Sequence, residues 1–131
     1  MFQYNCLLLV TLLAATASSA AAQHMNEKDS PCAGVAVTSD LVACLSKGRN
    51  ASEVQLNSLY QSIREKLGPT DTRRLADAEH QWFKYREANC SAERALYDGG
   101  TGAYPAYLAC VGSMSRARTK ELRITYAVAL K

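Results

Sequence analysis

The sequence has few of the residue types from which common active sites are built. It contains only two histidines and one tryptophan, and it lacks a His-Glu-x-x-His motif, a Walker loop and a Gly-x-Ser-x-Gly elbow. His24 lies in a polar segment, and His80 has only Ala76 and Lys84 one helical turn away, so no neighbouring acid or nucleophile supports it. We therefore predict a protein that is not an enzyme, with no catalytic residue, cofactor or metal, and interpret His80 as a solvated surface residue.

A strong charge of either sign is also lacking. The formal net charge is +3, with 15 basic against 12 acidic side chains. Glu121 interrupts the basic residues at 116–123, and this pattern is more typical of a solvated helix face than of a phosphate-binding surface. We predict no nucleic-acid partner.

The first 22 residues contain no Asp, Glu, Lys or Arg. Their apolar centre at residues 7–13 is too short to span a membrane, and Ala20 and Ala22 are small residues of the kind that signal peptidase accepts. We predict a cleaved signal peptide over 1–22, with a retained membrane anchor as the alternative because no Lys or Arg precedes the apolar centre. No lipid-attachment cysteine follows that centre, so a periplasmic or secreted protein without membrane contact after cleavage is expected.

The rest of the chain divides into a polar arm and a helical domain. Residues 23–37 lack periodicity and are predicted to be a flexible leader and N-terminal arm, whereas 38–131 form one domain. The first helix is interpreted as continuous, with a break at Gly48 as the alternative. No alternating strand pattern, repeat or linker is present, so the class is all-α. Apolar spacing, turn residues and candidate caps predict three helices: one capped by Thr38, Ser39 or Asp40 and ending at Gly68-Pro69, one capped by Thr70 or Asp71 and running to about Tyr97, and one from about Ala103 to Ala129.

Four of the five cysteines follow the predicted signal peptide, and an even number is typical of disulfides in an exported chain. Cys90 and Cys110 lie about ten residues on either side of the Gly-rich turn, so antiparallel helices bring them level. Three pairings are possible; this register favours Cys90–Cys110 and leaves Cys32 with Cys44. A zinc site of four thiolates is the rival, but no Cys-x-x-Cys pair exists. The predicted fold is a small antiparallel three-helix bundle stapled by two disulfides.

Aromatic residues define a candidate core and a candidate surface. Trp82 and Tyr85 are predicted to be core residues of the second helix. They share a stripe at three- and four-residue steps with Leu75, Ala78, Asn89, Ala92 and Leu96. Arg86, beside that stripe, is expected to stack on a ring or to pair with Asp77, Glu87 or Glu93. Aromatic and polar residues around the turn form a candidate partner-binding loop, with a loop that only caps the hairpin as the alternative. Its members are Tyr97, Asp98, Tyr104 and Tyr107.

The chain resembles the lysozyme-inhibitor LprI-like domain family of small, exported, helical, four-cysteine bacterial proteins. The resemblance covers most of the predicted mature chain and identifies 38–131 as the LprI-like domain. It rests on the order and spacing of Cys32, Cys44-Leu45, Leu56-Asn57, Tyr60, Trp82, Tyr85-Arg86, Cys90, Gly99-Gly100, Cys110 and Arg118.

The resemblance implies a function in protein binding. We expect an exported non-enzymatic domain that binds lysozyme or another envelope protein; the alternative is a cell-envelope structural or stress accessory module without lysozyme affinity. Animal-type lysozymes are strongly cationic, so a chain of charge +3 gains nothing from long-range steering. Inhibition then requires local insertion into the acidic cleft, and the loop from Tyr97 to Tyr107 has no Lys or Arg for that role. The sequence specifies no oligomeric state.

Overall fold

Three long helices form the fold. The structure, a computed structural model, describes residues 24–27 and 30–131. Within that part of the chain there is no strand, which confirms the all-α class, and no helix is both long and apolar enough to cross a membrane. The signal peptide predicted over 1–22 lies outside the described residues. The elements in chain order are a 3₁₀ turn at His24–Asn26, α1 at Thr38–Lys66, α2 at Pro69–Ala95 and α3 at Ala103–Thr125.

Helix α3 is the central helix of the bundle. It packs extensively against both α1 and α2, whereas α1 and α2 make little contact with each other. Leu45 near the start of α1 packs with Leu108 near the start of α3, and Ile63 near the end of α1 packs with Leu122 near the end of α3. Helices α1 and α3 therefore run in the same direction, with α2 antiparallel to both.

Helix α1 is continuous through Gly48, as predicted. The hydroxyl of Ser52 donates to the Gly48 carbonyl at 2.8 Å, one turn back along the helix. The predicted cap is wrong: the N-cap is Val37, and no side chain caps the helix, so Thr38, Ser39 and Asp40 all lie in its first turn.

The junction between α1 and α2 is shorter than predicted. Gly68 is the extended N-cap of α2 and Pro69 is its first residue, so Thr70 and Asp71 do not cap the helix. Proline is favoured there because the first N–H groups of a helix have no intrahelical partner. Helix α3 begins at Ala103 as predicted. Helices α2 and α3 end at Ala95 and Thr125, a few residues before the predicted ends.

Two disulfides form with the predicted pairing. Cys90 and Cys110 join α2 to α3 with their Cα atoms 5.5 Å apart, and both residues are fully buried. Cys32 and Cys44 join the N-terminal arm to α1 across 6.0 Å between Cα atoms. The hairpin register inferred from the turn is confirmed.

The predicted core stripe of α2 is only partly correct. Trp82 packs against the apolar cluster that includes Leu75 and Leu122. Tyr85 is 61 % exposed, so its prediction as a core residue is wrong. Arg86, one position further round the helix, is buried in its place because several polar partners satisfy its guanidinium, as described below.

Part of the segment predicted to be a flexible leader is docked on the bundle. The backbone N–H of His24 donates to Oε1 of Glu93 at 3.0 Å, and His24 Nδ1 lies 2.5 Å from Oε2 of the same carboxylate. The hydroxyl of Ser113 donates to Glu27 at 2.9 Å. Residues 24–27 are therefore held by polar partners on α2 and α3, which a reading of local periodicity does not detect.

Candidate functional site

An open groove of about 320 Å³ lies between α1 and α2. It exists because both helices pack on α3 and leave space between their own outer faces. We call it the α1–α2 groove. Its lining includes Glu53, Asn57, Tyr60, Ala76, Trp82 and Phe83.

The buried guanidinium of Arg86 lies at the base of this groove and connects all three helices. Its Nη1 is 3.1 Å from Oε1 of Glu53 on α1 and donates to the hydroxyl of Ser115 on α3 at 2.9 Å. Its Nε and Nη2 donate to Oε1 of Glu87 on α2 at 3.2 and 3.0 Å. Every nitrogen of the guanidinium has a partner, which is the condition for burying a charge in a small core.

Trp82 lies beside two arginines. The Cζ atoms of Arg86 and Arg118 are 5.4 and 5.7 Å from its ring centroid, within cation–π range. Arg118 donates to Glu79 at 2.8 Å through Nε and is 2.8 Å from Glu121 through Nη1. Burial acts to lower the pKa of Arg118, but the hydrogen bonds to Glu121 and Glu79, together with the charges of these two carboxylates, raise that pKa above the ordinary value. The tryptophan is therefore fixed in place by charged side chains on both α2 and α3.

Phe83 is the exposed aromatic of the groove. Half of its surface is accessible, and Arg86 Cζ lies 4.7 Å from its ring centroid. His80, at the lip of the groove, is exposed, in agreement with its interpretation as a surface residue. The expected pairing of Arg86 with Glu87 and its stacking on a ring are both confirmed, whereas Glu53 on another helix was not expected as a partner.

Of the four residues of the predicted partner-binding loop, two are half-buried and two are exposed. Tyr107 is half-buried and its hydroxyl donates to Oε2 of Glu87 at 2.7 Å. Tyr97 is half-buried with its ring over Gly102, where a Cβ would collide with it. Burial, and then the Glu93 charge, raise the pKa of Tyr97. Asp98 and Tyr104 remain exposed, Asp98 with a left-handed φ of 45° at the turn.

Tyr107 is expected to make stability fall at alkaline pH. Its hydrogen bond to Glu87, then its burial and the Glu87 charge, raise its pKa despite the opposing charges of Arg49 and Arg86. The unfolded chain therefore loses this proton first, and stability declines as pH rises from about 10, the ordinary tyrosine value, to the folded pKa.

Urea unfolding at neutral pH and at about pH 10.5 measures this effect. Tyr107→Phe should cost about 1 kcal/mol at neutral pH, for one partly exposed hydrogen bond to a carboxylate, and should reduce the alkaline loss. A residual loss from Tyr97 should remain. Tyr104→Phe is the matched control, and an alkaline loss equal in wild type and Tyr107→Phe would contradict the assignment.

His24, Glu93 and Cys110 bring potential metal-ligand atoms within 4.8 Å of one another. The Cys110 sulfur is bonded to Cys90 and offers no thiolate. The other two side chains pair directly with each other. This arrangement holds the N-terminal segment and is a poor ligand set for a metal.

Six residues on which the family resemblance rests meet at the α1–α2 groove. Five of them line it and the sixth stacks on Trp82 from α3. The six are Leu56, Asn57, Tyr60, Trp82, Arg86 and Arg118. Part of the family pattern therefore maps to one place in the structure.

Fold and groove together define a small, disulfide-linked, three-helix domain with one aromatic face open between two helices. Residues 30–122 match the family described as "Lysozyme inhibitor LprI", and the chain belongs to this family. A crystal structure of a DUF1311 family protein from Pseudomonas putida KT2440 has the same fold, with a TM-score of 0.60 and 24 % identity over 65 % of this chain and 89 % of that chain. No curated protein matches the chain.

Proposed function

We propose that the protein is an exported, non-enzymatic lysozyme inhibitor that binds its target through the α1–α2 groove. The family description supplies the target class. The observation that carries the choice of surface is Phe83, which is half exposed in the same groove as half-buried Tyr60 and Trp82. Aromatic side chains on rigid elements are the commonest anchors of protein interfaces, because they bury a large area at a small entropic cost.

The charged groups of the groove suit binding better than acid–base chemistry. Glu53 is engaged by Arg49 and Arg86, and Glu79 by Arg118. A general acid or base needs a carboxyl group free to exchange a proton with a substrate, and here both carboxylates are held in ion pairs. The groove therefore offers a preformed surface that a partner can occupy without chemical change.

Export is supported by the two disulfides. Disulfides persist in oxidising compartments, and Cys90–Cys110 lies in the centre of the fold. Together with the predicted signal peptide over 1–22, they favour the periplasm or the extracellular medium, which is where a lysozyme inhibitor meets its target.

Filling the groove is expected to weaken inhibition strongly. Ala76 is half-buried in the groove, whereas Ala78 on the same helix is exposed outside it. Ala76→Phe should weaken inhibition at least about tenfold, or about 1.4 kcal/mol, in a lysozyme turbidity assay, whereas Ala78→Phe should match wild type. Thermal unfolding of both variants confirms that they are folded.

Two outcomes would contradict the proposal. If Tyr104→Ala abolishes inhibition and Ala76→Phe does not, the turn carrying Asp98 and Tyr104 is the binding site instead. If the wild-type mature protein inhibits no lysozyme of several types at large molar excess, the function is wrong and the accessory-module alternative is favoured.

A further inference from the structure

We infer that an exposed face of α3 docks the protein on a membrane surface that contains anionic phospholipids. The face carries Arg116, Lys120 and Arg123, all three exposed, and we call it the α3 basic face. It lies outside the α1–α2 groove, so the inference does not rest on the lysozyme proposal. It replaces the expectation that the protein makes no membrane contact after cleavage of the signal peptide.

The positive charge of the chain is concentrated on α3. This helix contains four basic side chains and one acidic side chain, so its net charge equals the formal charge of +3 of the whole sequence. Arg116, Lys120 and Arg123 follow one another at steps of four and three residues. At about 100° per residue they fall within about 60° of one another around the helix and span about 10 Å along its axis. They therefore form one continuous stripe.

Glu121 interrupts these residues in the sequence but not in the structure. It lies about 100° from Lys120 around the helix, and its Oε2 is 2.8 Å from Nη1 of Arg118. Arg118 is only 11 % exposed and also pairs with Glu79 on α2. The one carboxylate of α3 is thus engaged on another side of the helix, and the α3 basic face carries no negative charge from its own element.

Two of the three cations are available to an anionic partner. Arg116 has an acidic neighbour, since its Nη2 is 3.8 Å from Oε2 of Glu27. Within residues 24–27 and 30–131, Lys120 and Arg123 have neither an ion pair nor a hydrogen bond from their side chains. On the side of α1 they border an open, shallow surface of about 350 Å³ with the neutral Gln55. An anion that approaches Lys120 and Arg123 therefore displaces no existing partner.

Exposed aliphatic side chains favour a membrane over an acidic protein or polymer. Ile124, one turn after Lys120, is 68 % exposed, and Val128, just beyond the end of α3, is 82 % exposed. Basic and aliphatic side chains together are typical of interfacial binding, because the cations pair with lipid phosphates while the aliphatic groups enter the edge of the acyl region. The residues that line the shallow surface include none of the aromatic anchors typical of protein interfaces.

Docking through the α3 basic face leaves the α1–α2 groove accessible. Gln55 borders the face and Glu53 lines the groove, and these two residues lie about 160° apart around α1. A domain that rests on a membrane through α3 therefore presents the groove away from the lipid. The protein can be held at the cell envelope and still bind a second protein.

Sedimentation with lipid vesicles tests the inference on the mature protein. We expect binding to vesicles made of equal parts of phosphatidylglycerol and phosphatidylcholine, and none to vesicles of phosphatidylcholine alone. The bound fraction should fall as salt is raised, because interactions between exposed charges are screened. No binding to the anionic vesicles at low salt, or equal binding to both kinds of vesicle, would overturn the inference.

A matched pair of double variants tests the location of the surface. Lys120→Gln combined with Arg123→Gln should weaken binding to the anionic vesicles at least about tenfold, because each basic residue near such a surface raises affinity about fivefold. Lys84→Gln combined with Arg94→Gln removes the same two charges from exposed positions of α2 and should stay within about threefold of wild type. Equal losses in the two double variants would show that only net charge matters and would overturn the inference.

An aliphatic variant distinguishes a membrane from other anionic partners. Ile124→Ser should weaken vesicle binding at least about threefold, whereas Val54→Ser, at a similarly exposed residue of α1, should leave it unchanged. If Ile124→Ser binds the vesicles as wild type does, no aliphatic contact with lipid is made. If polyglutamate at an equal concentration of negative charge displaces the protein completely from the vesicles, the face binds an acidic polymer. Either result would overturn the assignment of a membrane as the partner.

Discussion

Arg86→Ala is expected to lower the free energy of unfolding by about 3 kcal/mol. The substitution removes hydrogen bonds to Glu53, Glu87 and Ser115, and charge-assisted hydrogen bonds contribute about 1.5–3 kcal/mol. It also removes a buried side chain that packs on Trp82 and leaves a cavity. The loss should stay below the upper value of about 5 kcal/mol for broken buried pairs, because Glu53 keeps Arg49 and Glu87 keeps Tyr107.

Urea unfolding of three variants tests this expectation. Arg86→Lys should recover only part of the loss, because an ammonium group cannot reproduce the fork of bonds that the guanidinium makes. Arg94→Ala, an exposed arginine of the same helix, is the control and should stay within about 0.5 kcal/mol of wild type. A stability of Arg86→Ala equal to that of Arg94→Ala would show that the network does not stabilise the bundle.

Loss of the central disulfide is the second large effect. Cys90→Ser leaves Cys110 unpaired and should cost about 2–5 kcal/mol, as removal of a native disulfide from a small domain typically does. The bond joins α2 to α3 across a sequence separation of 20, and both residues are fully buried. Its main contribution is to limit the conformations of the unfolded chain.

Thermal unfolding under oxidising conditions measures this loss. The double variant Cys90→Ser, Cys110→Ser excludes mispairing of the remaining thiol and should be destabilised as well. Removing the Cys32–Cys44 bond should cost less, because its sequence separation is 12 and it restrains only the N-terminal arm. Unchanged unfolding of Cys90→Ser would contradict the role assigned to this bond.

The features predictable from sequence were those that depend on spacing along one element or across one turn. The register of α2 and α3 follows from the position of Cys90 and Cys110 about the Gly-rich turn. The continuity of α1 follows from apolar residues on both sides of Gly48. Both are local arguments, and the structure confirms both.

The assignment of Tyr85 instead of Arg86 to the core shows where such arguments stop. At about 100° per residue, Leu75, Trp82 and Arg86 fall within about 40° of one another round the helix, whereas Tyr85 lies about 100° from Arg86 and so leaves the buried face. Trp82 belongs to the predicted stripe and also lies close to the buried face formed by Leu75, Arg86 and Cys90. Arg86 is buried because Glu53, on a different helix, pairs with it, and no pattern within α2 contains that information.

The α1–α2 groove cannot be recognised in the sequence for a related reason. The turn from Tyr97 to Tyr107 is contiguous in sequence and was therefore visible as a cluster of aromatics. The groove combines residues 53–60 of α1 with 76–86 of α2 and exists only because both helices pack on α3. In the folded chain Tyr107 is engaged by Glu87 and Tyr97 is half-buried, so Tyr104 is the exposed tyrosine of the turn, whereas the groove presents Phe83 together with Tyr60 and Trp82.

Amide hydrogen exchange of the complex with an inhibited lysozyme tests the central claim most directly. If the α1–α2 groove is the binding site, binding should slow the exchange of amide hydrogens in residues 53–60 and 76–86, which line the groove. Exchange at residues 97–107 should change little. Protection confined to 97–107, with the two groove segments unchanged, would contradict the account and return the site to the turn.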